Sequence, residues 1–389
     1  MSHHAEPRPT ESRFWTPGVM VMVCFMLAGG VALMARFIGG LGYATNLTDA
    51  YPWGLWIGID VATGVALAAG GFSTAALAHI FGGHRYEAVT RPALLTAALG
   101  YTFVAIGIFV DIGRPWAIWK PMFFHNYTSV LFEVAMCVMT YLTVLWLEFV
   151  PIAAERWGEK IRLLGFLGRI STKVMSVLIV LGVVLSFMHQ SGLGGLMLIA
   201  PTKLHPLWYT PLLPLLFLLS AISVGYPMVI FETGVATKSL KLESEMDILG
   251  PLSRFTILLL GIYMAVKLGD MFYRGTHVYL LDGTMQSNAF LLEVGLGVIL
   301  PWLLILSPKT RRSRTRLFTA GALIVGGIVL NRVNVFLIGF TPPLADRPYF
   351  PSFAEVLVTA GFVATIMFLY RVAVTYLPVL SARSKEVSV

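Results

Sequence analysis

The chain has 389 residues, of which 57% are hydrophobic and 12% charged, with a mean hydropathy of +0.78. A water-soluble domain cannot leave so much apolar surface facing solvent, so the composition excludes one and indicates an integral membrane protein. The net charge of +8 arises from basic residues scattered among loops, which is a topology signal and argues against a nucleic-acid partner.

The chain opens with a polar stretch, Met1 to Arg13, that contains Pro7 and Pro9; residues 1–16 read as a tail and not as a cleavable signal. Ten apolar spans follow, at about 17–38, 52–80, 91–112, 127–150, 168–189, 206–232, 252–273, 286–306, 316–340 and 353–377. Each is long enough to cross ~30 Å of hydrocarbon at ~1.5 Å per residue. An even number of spans puts both termini on one side. That side, with the loops after spans 2, 4, 6 and 8, holds twenty Lys and Arg, among them Arg311, Arg312, Arg314 and Arg316, against six on the other. The asymmetry places the tails 1–16 and 378–389 in the cytoplasm. The expected fold is all-α and polytopic.

Spans 2–5 and 6–9 share landmarks in the same order. Tyr51-Pro52-Trp53 precedes one set and His205-Pro206-Leu207-Trp208 the other; Leu131-Phe132-Glu133-Val134 is echoed by Leu291-Leu292-Glu293-Val294. Two four-helix bundles are expected, over 52–189 and 206–340, with 17–38 and 353–377 as flanking helices. Chance similarity between apolar helices is the alternative. Span 2 carries Trp53, Trp56, Gly64, Gly70 and Gly71, suited to close helix approach or to a slot for a flat ring. The loop 151–167 alternates apolar residues with Glu155, Arg156, Glu159, Lys160 and Arg162, and reads as an amphipathic helix on the cytoplasmic surface of the lipid membrane. Aromatic residues after span 3, Trp116, Trp119, Phe123 and Phe124, suit an interfacial belt or the docking of an extracytoplasmic partner. The two cysteines, Cys24 and Cys137, are too few for an internal four-Cys iron–sulfur cluster.

Ionisable residues within the spans gather in the outer half: Asp60, Asp111, Glu133, His189, Lys267, Asp270, Glu293 and Arg332. A charge at mid-helix costs roughly 2.5–3.5 kcal/mol on insertion scales, so such residues normally face a polar interior. Counted along the helices, Asp60 lies ~12 Å deep and Glu133 ~9 Å, with Asp111 and His189 near the outer ends of spans 3 and 5. Arg114, one turn beyond Asp111, is placed to pair with a carboxylate. This constellation is either a structural polar network or a site for reducing a quinone, which needs donors for two carbonyl oxygens and a proton supply; His, Asp and Glu furnish both. A ladder of groups toward the cytoplasm comprises Arg91, Tyr101, Glu133 and His189, with Glu148 and Glu232 at the cytoplasmic ends of spans 4 and 6. In the second set, Lys267 and Asp270 are expected to neutralise each other, and Arg332 to pair with Glu293. The eight histidines, His3, His4, His79, His84, His125, His189, His205 and His277, give no mid-membrane pair suited to haem.

In its segments Pro52-Trp53-Gly54-Leu55-Trp56-Ile57, Arg91-Pro92-Ala93-Leu94-Leu95, Asp111-Ile112-Gly113-Arg114, Ser129-Val130-Leu131-Phe132-Glu133, Met188-His189-Gln190-Ser191, Val229-Ile230-Phe231-Glu232 and Tyr349-Phe350-Pro351, the chain resembles the NrfD-like (polysulfide-reductase) membrane anchors. Within that family it is similar to the HybB-type branch that serves nickel–iron hydrogenase 2. The resemblance implies a multi-pass subunit of the bacterial inner membrane without haem. Electrons would come from an extracytoplasmic ferredoxin-like iron–sulfur subunit and ultimately from hydrogenase small and large subunits, and would pass to menaquinone in the outer half of the membrane. It also implies proton-transfer roles for Arg91, Tyr101, Glu133, His189 and Glu232, with Asp60, Asp111, Arg114 and Trp56 shaping the quinone site. Thr128 stands where Asn is expected before the Ser-Val-Leu-Phe-Glu run. Other respiratory oxidoreductases use the same family, and a secondary transporter is the rival from another class. Against the transporter, the charged residues cluster toward one face and not at the midplane.

Overall fold

The computed structural model describes residues 7–10, 12–80, 83, 86–243, 245–345 and 347–381. His3, His4, His84 and most of the 378–389 tail lie outside the described residues. Ten helices are long and apolar enough to cross a membrane: α1 Pro17–Gly39, α2 Trp56–His79, α3 Glu87–Asp111, α4 Val130–Trp157, α5 Met175–Leu198, α6 Leu213–Ser239, α7 Met246–Tyr273, α8 Met285–Leu306, α9 Arg314–Ile338 and α10 Phe353–Tyr376.

Local chemistry sets several starts. Thr16 caps α1 just before Pro17, whose fixed φ suits a first helical position. Ser129 caps α4 and Thr284 caps α8, while Ser352 and Glu355 close a reciprocal capping box at α10. The expected spans hold within a few residues except at the end of the fourth, at both ends of the fifth and sixth, and at the start of the seventh. α4 runs on through Pro151 to Trp157, a separate amphipathic helix occupies Arg162–Lys173, and α5 therefore spans Met175–Leu198 instead of 168–189. Gly192, Gly194 and Gly195, which look loop-like in sequence, are helical. A Cβ at Gly194 would lie 2.7 Å from the Leu213 carbonyl oxygen, so the glycine serves close packing against the start of α6.

α2 and α6 are the central helices, with 83% and 67% of their most apolar windows buried against 17% for α1. α2 packs on α3, α6 and α9; α6 packs on α2, α5, α7 and α9; α1 and α10 pair along one side. A Cβ at Gly71 would come 2.5 Å from that of Ala97, so this glycine of α2 is taken up by contact with α3. Arg8 bridges to Leu380, and Arg91 at the start of α3 donates to the Pro378 carbonyl at 3.0 Å, which brings both terminal segments to one face. The helix Arg162–Lys173 lies beyond the end of α4 with Leu163, Phe166 and Ile170 exposed. Short π-helical turns interrupt α2 at Trp56–Thr63, α8 at Gly295–Ile299 and α9 at Asn334–Ile338. Such turns re-aim side chains, and these lie at or beside Asp60, Glu293 and Asn334.

Candidate functional site

A fully buried polar contact joins α3 to α5. The Tyr101 hydroxyl and His189 Nε2 are hydrogen-bonded, and both residues are fully buried. His189 Nδ1 bonds to the Leu185 carbonyl at 2.7 Å. A carbonyl only accepts, so Nδ1 carries the hydrogen and Nε2 of the neutral ring is left to accept from Tyr101. Nine residues separate His189 from the end of α5, so it sits about 13 Å in and not near the outer end as expected; the shifted boundaries of α5 account for the difference. Tyr101 is correspondingly deep, ten residues before the end of α3. Next to it, Trp146 of α4 donates to Thr102 at 3.0 Å and holds α4 against α3.

Tyr141 of α4 completes this core: its ring meets Tyr101 edge-on at 4.6 Å between centroids and lies 5.4 Å from His189. Ser186, one turn before Gln190, lies within reach of both phenols, yet neither its hydroxyl nor that of Tyr141 makes a well-formed hydrogen bond. Gln190 donates to the Val65 carbonyl of α2 at 2.8 Å, leaving its own oxygen unpaired. Buried hydroxyls and amide oxygens in this condition are the groups that ordered water bridges. Tyr141 and Ser186 were not singled out in the sequence, although Glu133, Tyr141 and Glu148 recur eight and seven residues apart on one face of α4.

Glu148 is buried two turns along α4 from Tyr141, toward the face that carries the termini. A Cβ at Gly182 of α5 would sit 3.0 Å from its Oε1 and 3.6 Å from Tyr141 Cε2, so both side chains border the same small gap. Glu133 belongs to the first turn of α4 and is exposed, shallower than its expected ~9 Å because the helix begins only at Val130. Glu232 of α6 has Thr96 of α3 and Tyr370 of α10 within reach, and its Oε1 lacks a well-formed bond. Beside it, a cavity of about 20 Å³, large enough for one water, is lined by Val89, Thr233, Glu245 and Tyr370. Arg91 makes a bidentate pair with Glu155 at 2.7 and 2.8 Å, partly exposed.

Asp60, Asp111 and Trp56 gather elsewhere, among α1, α2, α3 and α10. Asp60 accepts from Thr359 at 2.8 Å and lies within electrostatic reach of Asp111, which in turn feels Glu355 and Arg36. Arg36 donates to the Val110 and Ile112 carbonyls, both at 2.7 Å, and closes the end of α3. Glu355 accepts from the Tyr349 hydroxyl and from the backbone of Ser352 and Asn46, while Trp56 donates to its carbonyl at 3.2 Å. Arg114 is exposed in the following loop. The expected single constellation is thus two: a Tyr101–His189 core reached from Glu148, and a carboxylate cluster against α10. The Ser-x-x-Glu signature at Ser352 and the lone Arg in the α1 run were the signals for Glu355 and Arg36.

In the second set of helices two expected pairs are corrected. Lys267 pairs with Glu293, not with Asp270, which instead binds Arg274 at 2.8 Å and Thr210 at 2.9 Å. Arg332 does not reach Glu293; its guanidinium lies 3.8 Å over the Phe217 ring and bonds Ser220. The landmark pair Glu133 and Glu293 also occupy unlike settings, one exposed and one fully buried. A haem would need two facing axial ligands. His189 has both nitrogens committed and His79 is exposed, while His125, His205 and His277 lie in loops, so the described residues do not fit that group.

A family model described as polysulphide reductase, NrfD, matches residues 44–342. A protein of Nitratidesulfovibrio vulgaris is 40% identical over 382 residues, covering 95% of this chain and 96% of that one. The probable Ni/Fe-hydrogenase 2 b-type cytochrome subunit of Escherichia coli is 33% identical over 387 residues, 98% of this chain and 96% of its own. The menaquinone reductase integral membrane subunit of N. vulgaris is 25% identical over 391 residues, covering 94% and 91%.

Proposed function

The chain belongs to the NrfD family of membrane subunits, and from that premise we propose that it is the quinone-reactive anchor of a nickel–iron hydrogenase facing the periplasm. Both termini lie in the cytoplasm, in keeping with the excess of Lys and Arg on that face. A ferredoxin-like iron–sulfur subunit delivers electrons at the opposite face, and this chain passes them with protons to menaquinone. The E. coli relative's name supports the hydrogenase assignment, and that of the N. vulgaris reductase subunit supports menaquinone.

The observation that carries this function is the buried Tyr101–His189 pair at mid-membrane. Two electrons and two protons convert a quinone to its quinol, and the protons must travel through the chain. The Leu185 carbonyl fixes the His189 tautomer, so Nε2 is the nitrogen that takes up or gives a proton, with Tyr101 as its partner. Glu148, with Tyr141 and Ser186 above it, supplies protons from the cytoplasmic side, and Glu232 with Tyr370 forms a second entry. Glu133, at the outer mouth of the α4 stripe, is the remaining proton-exchanging carboxylate. Asp60, Asp111 and Trp56 shape the outer end of α2 and α3, and Arg114 stands at its rim.

Co-purification of the tagged chain in mild detergent, followed by hydrogen-dependent reduction of a menaquinone analogue and of an electron-accepting dye, tests the assignment. A hydrogenase that reduces both is expected. Recovery with a different iron–sulfur oxidoreductase that reduces the quinone analogue would overturn the hydrogenase assignment and leave the anchor role standing.

A further inference from the structure

The proposed quinone chemistry leaves unused a charged interior that lies among α6, α7, α8 and α9. Lys267 is 7% exposed, and Glu293 and Arg332 are 0% exposed, so three charged groups are enclosed together. Glu293 is held by four donors. Lys267 and Asn331 (2.8 Å) bind Oε1; Asn334 (2.7 Å) and Trp208 (3.0 Å) bind Oε2. Lys267 also donates to the Tyr263 hydroxyl at 3.2 Å. Arg332 is joined to this group through the Asn331 side chain, which accepts from the guanidinium with its oxygen and donates to Glu293 with its nitrogen.

Two cations therefore face one anion. A structural ion pair needs only its partner, and a buried excess charge is unfavourable in a low-dielectric interior. Loss of one proton from Lys267 brings the group to neutrality: the anion of Glu293 keeps its three neutral donors and the nearby Arg332 as counter-charge. Lysine can give up that proton, whereas arginine holds its own at any ordinary pH.

A route for the proton adjoins it. A cavity of about 10 Å³, near the lower limit for one water, is lined by Tyr263, Lys267 and Asn331 on its inner side and by Thr210, Asp270 and Arg274 toward the loop before α6. Asp270 is three residues from Lys267, on the same face of α7, and only three residues from the helix end opposite the termini. Its carboxylate is shared between Arg274 and Thr210.

We propose that Lys267, Glu293 and Arg332 form a second proton-exchange site, filled from the face opposite the termini through Asp270 and the adjoining cavity. In the step, the N–H bond of Lys267 breaks, the proton passes to cavity water and then to the Asp270 carboxylate, and Lys267 is left as a neutral amine; uptake is the reverse. No electron moves, so the site operates independently of the quinone.

The test is charge displacement in proteoliposomes bearing the full chain, adsorbed on a capacitive sensor and given a rapid pH jump. A component of the transient current that disappears in Lys267→Met and in Glu293→Gln, and that slows severalfold with its amplitude retained in Asp270→Asn, is expected. An equal current in wild type and Lys267→Met would overturn the proposal and leave a structural pair. Should the two buried variants fail to fold, Asp270→Asn decides alone, because it leaves the buried group intact: an unchanged time course overturns the proposal. Quinone reduction by the intact complex is recorded separately, so its failure would bear on the anchor function and not on this site.

Discussion

Tyr101 and His189 are hydrogen-bonded across α3 and α5 at mid-membrane, with no exposed surface on either side chain. A backbone carbonyl on the far side of the ring makes the direction of that bond a consequence of valence: Nδ1 must donate to Leu185, so Tyr101 donates to Nε2. A proton arriving on Nε2 would displace the Tyr101 hydrogen. The pair is thereby a coupled donor and acceptor, and the Tyr141 phenol and Ser186 beside it extend the coupling toward Glu148.

Glu148→Gln removes the carboxyl that borders the Tyr141 gap from the cytoplasmic side while keeping its volume. Hydrogen-to-quinone turnover is expected to fall about 10²-fold, the lower range for loss of a positioned acid–base group, with hydrogen-to-dye activity retained. Paired assays of one preparation check this; unchanged quinone turnover would remove Glu148 from the route.

Arg91 has a different expectation. Its guanidinium is committed to a partly exposed pair with Glu155 and to Pro378. Such pairs contribute about 0.2–1 kcal/mol, and guanidinium does not release protons at ordinary pH. Arg91→Gln should lower thermal stability slightly and leave quinone turnover within about twofold, a size set by positioning and not by acid–base loss. A collapse of turnover with an intact fold would assign Arg91 to the proton route.

Glu355 closes the start of α10 and gathers donors from Asn46, Tyr349 and Ser352. Glu355→Ala strands those donors in a buried place, and a loss of about 1–3 kcal/mol is expected. Thermal unfolding of the detergent-solubilised chain measures it, with Ser352→Ala as a milder comparison that removes only one arm of the capping box.

His205, in the loop before α6, has its imidazole pushed below the ordinary histidine value by burial, partly offset by the charge of Asp282. The unfolded chain therefore binds a proton there more readily than the folded one. Stability from this group is present above about 6.5 and is lost as the pH falls through and below that value. His205→Gln should flatten the acid limb of a thermal-stability profile recorded against pH, and an unaltered limb would count against the assignment.

The ten helices were legible because each repeats the same requirement, about twenty apolar residues, which packing does not alter. Tyr101, His189 and Glu148 were legible too, as polar groups out of place in apolar runs. What the sequence hid was partnership. Lys267 and Asp270 are neighbours along α7, yet each binds across to another segment, because three-residue spacing sets which face a residue occupies and not what faces it. Asp60 and His189 were grouped by depth alone, and depth does not record that α2 turns Asp60 toward Thr359 of α10. The boundary of α5 slipped because the charged run after Trp157 and the glycines after Ser191 look like loops; one leads into an amphipathic helix and the others are packing sites.

The most direct measurement compares hydrogen-dependent reduction of a menaquinone analogue with that of a dye in purified complexes carrying Tyr101→Phe or His189→Gln. If the Tyr101–His189 pair moves protons for the quinone, both variants assemble, keep dye reduction, and lose quinone reduction by about 10²-fold or more. Retention of both activities, or their equal loss in an assembled complex, would contradict that role.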